Sequence, residues 1–425
     1  MDAHQNRLSL ALLIGALFAG NGSAAATSVW TEVFTSAVPF STVSYIDGAF
    51  VSVSGTSVAR SQDGENWTEQ AANLDIRSWC EGPQDGFVGV AKLSNAAWIA
   101  TSMDLTNWLP AVQVRYVGPS PPFADTLAWA CISSTTNRLL CLLDIRPING
   151  FGGPWRYLYS ASSPTSTWHE VAYDFFSPHS LASTPGAFYC VASPTEIIFG
   201  TGIYSSLDGQ TWTRISTEAY PTSYIQGFAV HHDITLSTEA PMRSDLLGVY
   251  TPVQNDFEVL PISGSIYTMY GVVHFDGQRI AAAGGTTSQG ERFMSWTDDF
   301  CRTWQTQFLP WMTGGFASSP DATVAVGSGH FLLLSKPEVV WTNLPSATFS
   351  SIARDTAGAY PWVELSVETG VVYQVEICTN LIQGVWSSLG LPFLATDPTN
   401  LSAVPNTAGS FCIFRANTLF KRTAN

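Results

Sequence analysis

The sequence predicts an all-β chain built mainly from one repeated four-stranded unit. Three observations carry this expectation: a seven-residue turn motif that recurs along the chain, Asp-Gly turns set between apolar runs, and a composition poor in helix formers. Aromatic residues make up 12% and charged residues 12% of the 425 residues, with 34 glycines and 24 prolines. Beyond Ala26 there is no long run of Ala, Leu, Glu and Lys to sustain helices.

The chain opens with what reads as an export leader, residues 1–26. Arg7 supplies a thin basic region and Ala24-Ala25-Ala26 small residues for cleavage. Between them, Leu8 to Ala19 is apolar but shorter than the about 20 residues a spanning helix needs. An uncleaved N-terminal anchor is the alternative. No later stretch is apolar enough to cross a bilayer as a helix, so the mature chain is expected without a membrane span, in an extracellular, periplasmic or cell-surface location.

The repeat follows. Ser61-Gln-Asp63-Gly64-Glu-Asn-Trp67 recurs as Ser102-Met-Asp104-Leu-Thr-Asn-Trp108 and as Ser206-Leu-Asp208-Gly209-Gln-Thr-Trp212. Degraded copies are Ser162 to Trp168, Ser335 to Trp341, the longer Thr297-Asp-Asp299-Phe-Cys-Arg-Thr-Trp304, and the weakest, Ser244 to Tyr250. Between them lie hairpin signals such as Asp47-Gly48, Asp85-Gly86 and Asp276-Gly277. The motif resembles the Asp box, or BNR repeat, of sialidases, sortilins and photosystem II assembly-factor propellers. In such a turn the Asp accepts hydrogen bonds from backbone N–H groups, Gly takes positive φ and Trp covers the hairpin, so these Asp residues are structural.

Each unit reads as strand, tight turn, strand, connection, strand, Asp-box turn and Trp-led strand, which is one propeller blade. Counting from Trp30 to Trp341 gives about 44 residues per unit and a seven-bladed β-propeller over residues 27–344, with six or eight blades as alternatives because the fifth unit is poor. The N-terminal strand at Trp30 is placed to close the ring on the last repeat. After about Pro345 the pattern changes to half-buried strands, including Trp362 to Val367 and Val372 to Ile377. Residues 345–425 resemble the small C-terminal β-sandwich module of exported bacterial proteins.

A net charge of −15 and a pI near 4.7 exclude general nucleic-acid binding, which needs a surplus of Lys and Arg. The seven cysteines form no CxxC pair and no zinc-spaced Cys/His cluster, so neither a metal nor a cofactor is expected. Cys131 and Cys141 flank a turn and are placed to face each other across a hairpin, with ordinary buried thiols as the alternative.

Asp-Gly turns and Asp boxes fall on one face of the disc, and the longer connections on the other, where a rigid scaffold usually places binding residues. The candidate ligand-binding residues are Arg77, Trp79, Trp129, Arg146, Trp155, Arg156, His179, Arg243, Glu291 and Arg292. Trp stacks on sugar faces and Arg grips carboxylates. Trp79 and Trp129 also fit blade packing, and the arginines also fit solvated or ion-paired surface positions.

The sialidase resemblance implies an arginine triad, a Tyr–Glu pair, an Asp acid/base and an Arg-Ile-Pro signature before the first box. No Arg-Ile-Pro precedes Ser61, and Ile145-Arg146-Pro147 has the wrong order. The expectation is therefore a non-catalytic recognition or scaffold propeller for an extracellular or envelope protein or glycan. An exo-sialidase-like glycosidase and a structural envelope protein are the alternatives.

Overall fold

The computed structural model describes residues 29–422 except 84–85, 95, 117–118, 121–122, 148–154, 173–175, 195–201, 216–223, 232–233, 241–245, 251–256, 262–271, 287–291, 299–302, 312, 337–338, 341–347, 355–360, 370, 379–386, 389–391, 396–398 and 404–412. The expected leader, Asp85, Arg243, Glu291, Asp299, Trp341 and Cys412 lie outside the described residues.

Hairpins build every sheet. The first shows how: Ser44–Ile46 pairs with the following strand so that Ile46 faces Ala49, and the two residues between, Asp47 and Gly48, both have positive φ, 49° and 74°. That is the primed turn whose twist matches paired strands. Sheet I continues through Ala49–Ser61, Thr68–Glu81, Phe87–Leu93, Ala96–Ser102 and Leu109–Tyr116. Sheet II holds Pro119–Ser120, Phe123–Ser134, Leu139–Pro147, Trp155–Ala161 and His169–Glu170. Sheet III holds Phe176–Thr184, Ala187–Pro194, Gly202–Ser206 and Thr213–Arg214. Sheet IV is Tyr224–His231, Ile234–Ala240, Leu246–Tyr250 and Phe257–Pro261. Sheet V is Val272–Phe275, Ile280–Thr286, Arg292–Thr297 and Gln305–Leu309. Sheet VI joins Gly315–Ser318, Ala322–Gly327 and His330–Ser335 to the N-terminal strand Thr31–Thr35.

Strands of successive sheets touch one another and close a circle. Phe123–Ser134 lies against Thr68–Glu81 and Phe176–Thr184; Tyr224–His231 contacts Phe176–Thr184 and Val272–Phe275; Gly315–Ser318 contacts Val272–Phe275 and Ser44–Ile46. Antiparallel sheets set radially around a ring form a β-propeller. The N-terminal strand completes sheet VI by antiparallel pairing, Thr31 with Leu333 and Thr35 with His330.

The blade count departs from the sequence expectation. Sheets II to VI are five blades, whereas the first two repeat units form one six-stranded sheet instead of two separate blades. The cause is local. Thr68–Glu81 contains neither Gly nor Pro, so one extended strand pairs first with Ala59 and Arg60 and, from Asp75 on, with Phe87–Leu93.

The core lies between sheets. Along Leu139–Pro147 the odd residues Leu139, Cys141, Leu143 and Ile145 pack toward sheet I with Val90 and Ile99. The even residues Leu140 and Leu142 pack toward sheet III with Phe188 and Cys190. A strand buried on both faces reads as a continuous apolar run, and each such side chain contributes about 1.5–3 kcal/mol. The same alternation corrects the cysteine expectation: Cys141 pairs with Ile132 and Cys131 with Leu142, so the thiols point to opposite faces, and both are free.

Two further corrections concern the repeat. Tyr250 ends a third strand and pairs with Phe257, so it does not lead a fourth strand as the Trp count required. Val339–Val340, placed in the propeller by the sequence, pairs with Arg422 and Lys421 instead. That sheet also includes Val371–Cys378, Ile413–Arg422, Ser387–Ser388 and Phe393–Leu394. A three-stranded sheet of Thr348–Arg354, Pro361–Ser366 and Thr399–Ala403 accompanies it, and Leu365 shares one apolar cluster with Val371, Tyr373 and Val375.

Candidate functional site

The recurring turns are self-contained hydrogen-bond knots. In the first, the Ser61 hydroxyl donates to Asp63 Oδ1 at 2.9 Å and accepts from the Gly64 N–H at 2.9 Å. Asp63 Oδ1 also accepts from the N–H groups of Glu65 (2.9 Å) and Asn66 (2.8 Å), and Oδ2 accepts from Asn66 Nδ2 at 2.7 Å. The Trp67 indole N–H closes the turn on Gly64 O at 2.7 Å. Ser102, Asp104 and Trp108 repeat the pattern, with Leu105 taking the positive φ of 67° that glycine takes elsewhere. Ser206, Asp208 and Gly209 repeat it again, while Trp212 packs on the core between sheets II and III. Trp304 is half-buried just before Gln305–Leu309. These donors hold the Asp63 and Asp104 carboxyls well below the usual range, the backbone N–H groups of Asn66 and Asn107 most of all. Both oxygens of each of these carboxylates accept hydrogen bonds within their own turn, which fits a structural role.

On the opposite face, where strands lead into the long connections, sheet II brings several expected residues together. Asp144 sits directly across from Trp129 on one neighbouring strand and from Arg156 on the other. Arg146, two residues on and therefore on the same face, grips Asp144 in bidentate fashion, Nε to Oδ1 at 3.0 Å and an η nitrogen to Oδ2 at 3.2 Å. Arg156 Nε approaches Oδ2 at 3.5 Å. The Asp144 side chain is 5% exposed and that of Arg146 57%. One buried carboxylate thus anchors two guanidiniums and leaves a net positive charge at the surface beside Trp129, itself 38% exposed. Asp144's hydrogen bond and charge raise the Arg146 pKa further. Trp155 pairs with Ile145 and so lies on the other face of the sheet, 40% exposed.

The remaining candidates scatter. Arg77 pairs with Asp75 at 2.5 Å within Thr68–Glu81. Trp79 packs edge-on against Phe87 with ring centroids 5.7 Å apart, a core role. His179 stands at the register shift between Pro178 and Ser180, and Arg292 begins a third strand across from Thr286.

Two groupings escaped the sequence. Arg115 stacks 3.3 Å over the Tyr157 ring, donates to Tyr159 Oη at 2.8 Å and pairs with Glu170 at 3.5 Å. This Tyr–Glu–Arg group lies on outer strands, and burial raises the Tyr159 pKa, the reverse of what a nucleophile needs. The second is a cleft of about 600 Å³ on the turn face, lined by Phe87, Met103, Leu109 and Pro164 among others. Its only signal in the sequence is an apolar residue between Ser and Asp of the motif. Among the described residues no group of acids, histidines and cysteines is placed to hold a metal ion.

No protein-family model matches the chain and no curated protein matches it. Among solved structures, the extracellular domain of BT4673 from B. thetaiotaomicron is similar with 10% identity and a TM-score of 0.47, over 80% of this chain and 46% of that one. PorZ, a surface component of the type-IX secretion system of Porphyromonas gingivalis, is similar with 12% identity and a TM-score of 0.47, over 89% and 59%. Virginiamycin B lyase from Staphylococcus aureus gives 9% and 0.48, over 72% and 99%. The chain thus spans about half the length of the first two. The fold assignment rests on the strand order described above.

Proposed function

We propose that the chain is an exported, non-catalytic recognition propeller whose ligand, an extracellular or envelope protein or glycan, binds on the face away from the Asp-box turns. One observation carries this reading: Asp144 fixes Arg146 and Arg156 beside exposed Trp129, presenting cationic hydrogen-bond donors next to an aromatic surface. That pairing suits a ligand bearing a carboxylate, sulfate or other anion beside an apolar or sugar face. Support for a leader at 1–26 is its apolar core and small-residue end. The change of pattern near 345, with Leu365 and Tyr373 in one cluster, supports a separate C-terminal β-sandwich module of about the extent the sequence suggested.

The test incubates the purified mature protein with a mixed, sialylated glycan pool and follows retention and mass loss by mass spectrometry. Retention without mass loss, abolished by Arg146→Ala and by Trp129→Ala, is the expected result. Release of a sugar instead makes the chain a glycosidase. Neither retention nor release moves the search to anionic protein ligands, with the same two variants as controls.

A further inference from the structure

A second surface lies on the turn face. Met103 and Leu109, flanking the second Ser-Asp-Trp turn, are 73% and 69% exposed, although large apolar side chains at such positions cost solubility and contribute nothing to the core. With Phe87 and Pro164 they line the cleft of about 600 Å³, a size that accepts one or two side chains. A second cleft of about 470 Å³ adjoins it, sharing Gly86, Phe87 and Met103. Met103 is the wedge between the two, and its unbranched thioether adapts to varied shapes.

The charged residues lining this pair of clefts have one sign. Asp104 borders the first, Asp47 and Glu81 the second, all exposed, and among the described residues no Lys or Arg lines either. The hydrogen bonds from Asn107 keep Asp104 ionised at any ordinary pH. A second copy of this chain would bring the same acids to the contact, so like charges oppose self-association there.

We propose that these clefts form a docking groove for an extended peptide segment in which apolar side chains alternate with Lys or Arg. Apolar side chains enter the Met103–Leu109 cleft, and the basic groups reach Asp47, Glu81 and Asp104. The site is distinct from the Asp144 cluster, which selects the opposite charge on the opposite face.

The probe is a fluorescein-labelled peptide of alternating Lys and Leu, with two controls: Glu in place of Lys, and Ser in place of Leu. Fluorescence polarisation with the full chain is expected to show binding of the Lys-Leu peptide alone, weakened by added salt. Met103→Ser with Leu109→Ser, both exposed and away from the core, weakens it at least about tenfold, about 1.4 kcal/mol, while Arg146→Ala leaves it unchanged. Equal binding of the Lys-Ser peptide overturns the proposal, because it reduces the effect to the charge of −15. No binding at millimolar peptide also overturns it, as does a sedimentation result in which the double substitution converts a dimer to monomer.

Discussion

Replacing Gly64 with alanine is expected to cost about twice as much stability as the same change at Gly48. Both residues have positive φ, 82° and 74°, so both substitutions incur the left-handed backbone penalty of about 1–2 kcal/mol. They differ in surroundings. A Cβ at Gly48 meets nothing within 4 Å, whereas one at Gly64 falls 2.7 Å from Leu333 Cδ1, 3.1 Å from Val324 Cγ2 and 3.2 Å from Phe50 Cε2. Val324 and Leu333 belong to sheet VI and Phe50 to sheet I, so the added methyl wedges into the seam where the ring closes. Overpacking of that kind adds about 1–3 kcal/mol. The expected totals are about 1–2 kcal/mol for Gly48→Ala and about 2–5 kcal/mol for Gly64→Ala. At about 2 °C per kcal/mol for a domain of this size, differential scanning calorimetry should show melting lowered by about 2–4 °C and about 4–10 °C. Equal shifts for the two variants would refute the placement of the first turn in that seam.

Other perturbations separate the staples from the site. Arg279 is wholly buried and donates to Asp298 (2.7 and 3.0 Å), Thr323 Oγ1 (3.1 Å), and the carbonyls of Leu334 and Ser335 (both 2.9 Å); Arg279→Met should cost about 3–5 kcal/mol by urea denaturation, since it strands the Asp298 charge. Asp63→Ala should lower stability by about 1–2 kcal/mol yet leave ligand retention intact, and lost retention at unchanged stability would contradict a structural turn. The N–H of Thr211, then those of Gln210 and the Ser206 hydroxyl, hold Asp208 at about 2 against burial, so its contribution is complete above its unfolded value of about 3.9 and fades as pH falls toward 2. Melting temperatures between pH 6 and 2 should therefore fall less steeply below pH 4 in Asp208→Asn than in the parent chain.

Much of the fold was legible because its signals are local. The Ser-Asp-Trp turn is written within seven residues and needs nothing else to form, and Asp47-Gly48 specifies its hairpin by two backbone angles. What escaped depends on partners distant in sequence. The merging of two units into sheet I shows in the sequence only as the absence of Gly and Pro from Thr68–Glu81, and the point where that strand changes partner is set by the strands it meets. Tyr250 misleads a count by aromatics because an aromatic at the end of a third strand looks, in sequence, like one at the start of a fourth. At Arg146 and Arg156 the organising group, Asp144, draws its importance from burial between strands, which the sequence does not display. The Met103 groove shows in the sequence only as one apolar residue inside the turn motif, because its walls come from Gly86, the second turn and Pro164 of the next sheet.

The pairing of Thr31–Thr35 with His330–Ser335 also dictates an order of events. Residues bonded across this seam, Glu32 and His330, are 298 apart in sequence. Such a contact carries the largest loop-closure cost in the propeller, so it forms late and slows folding. During synthesis the first strand leaves before its partner exists, and sheet VI keeps an unpaired edge until the two meet. A factor that shields either edge in that interval would raise the yield of closed rings without altering the stability of the finished molecule.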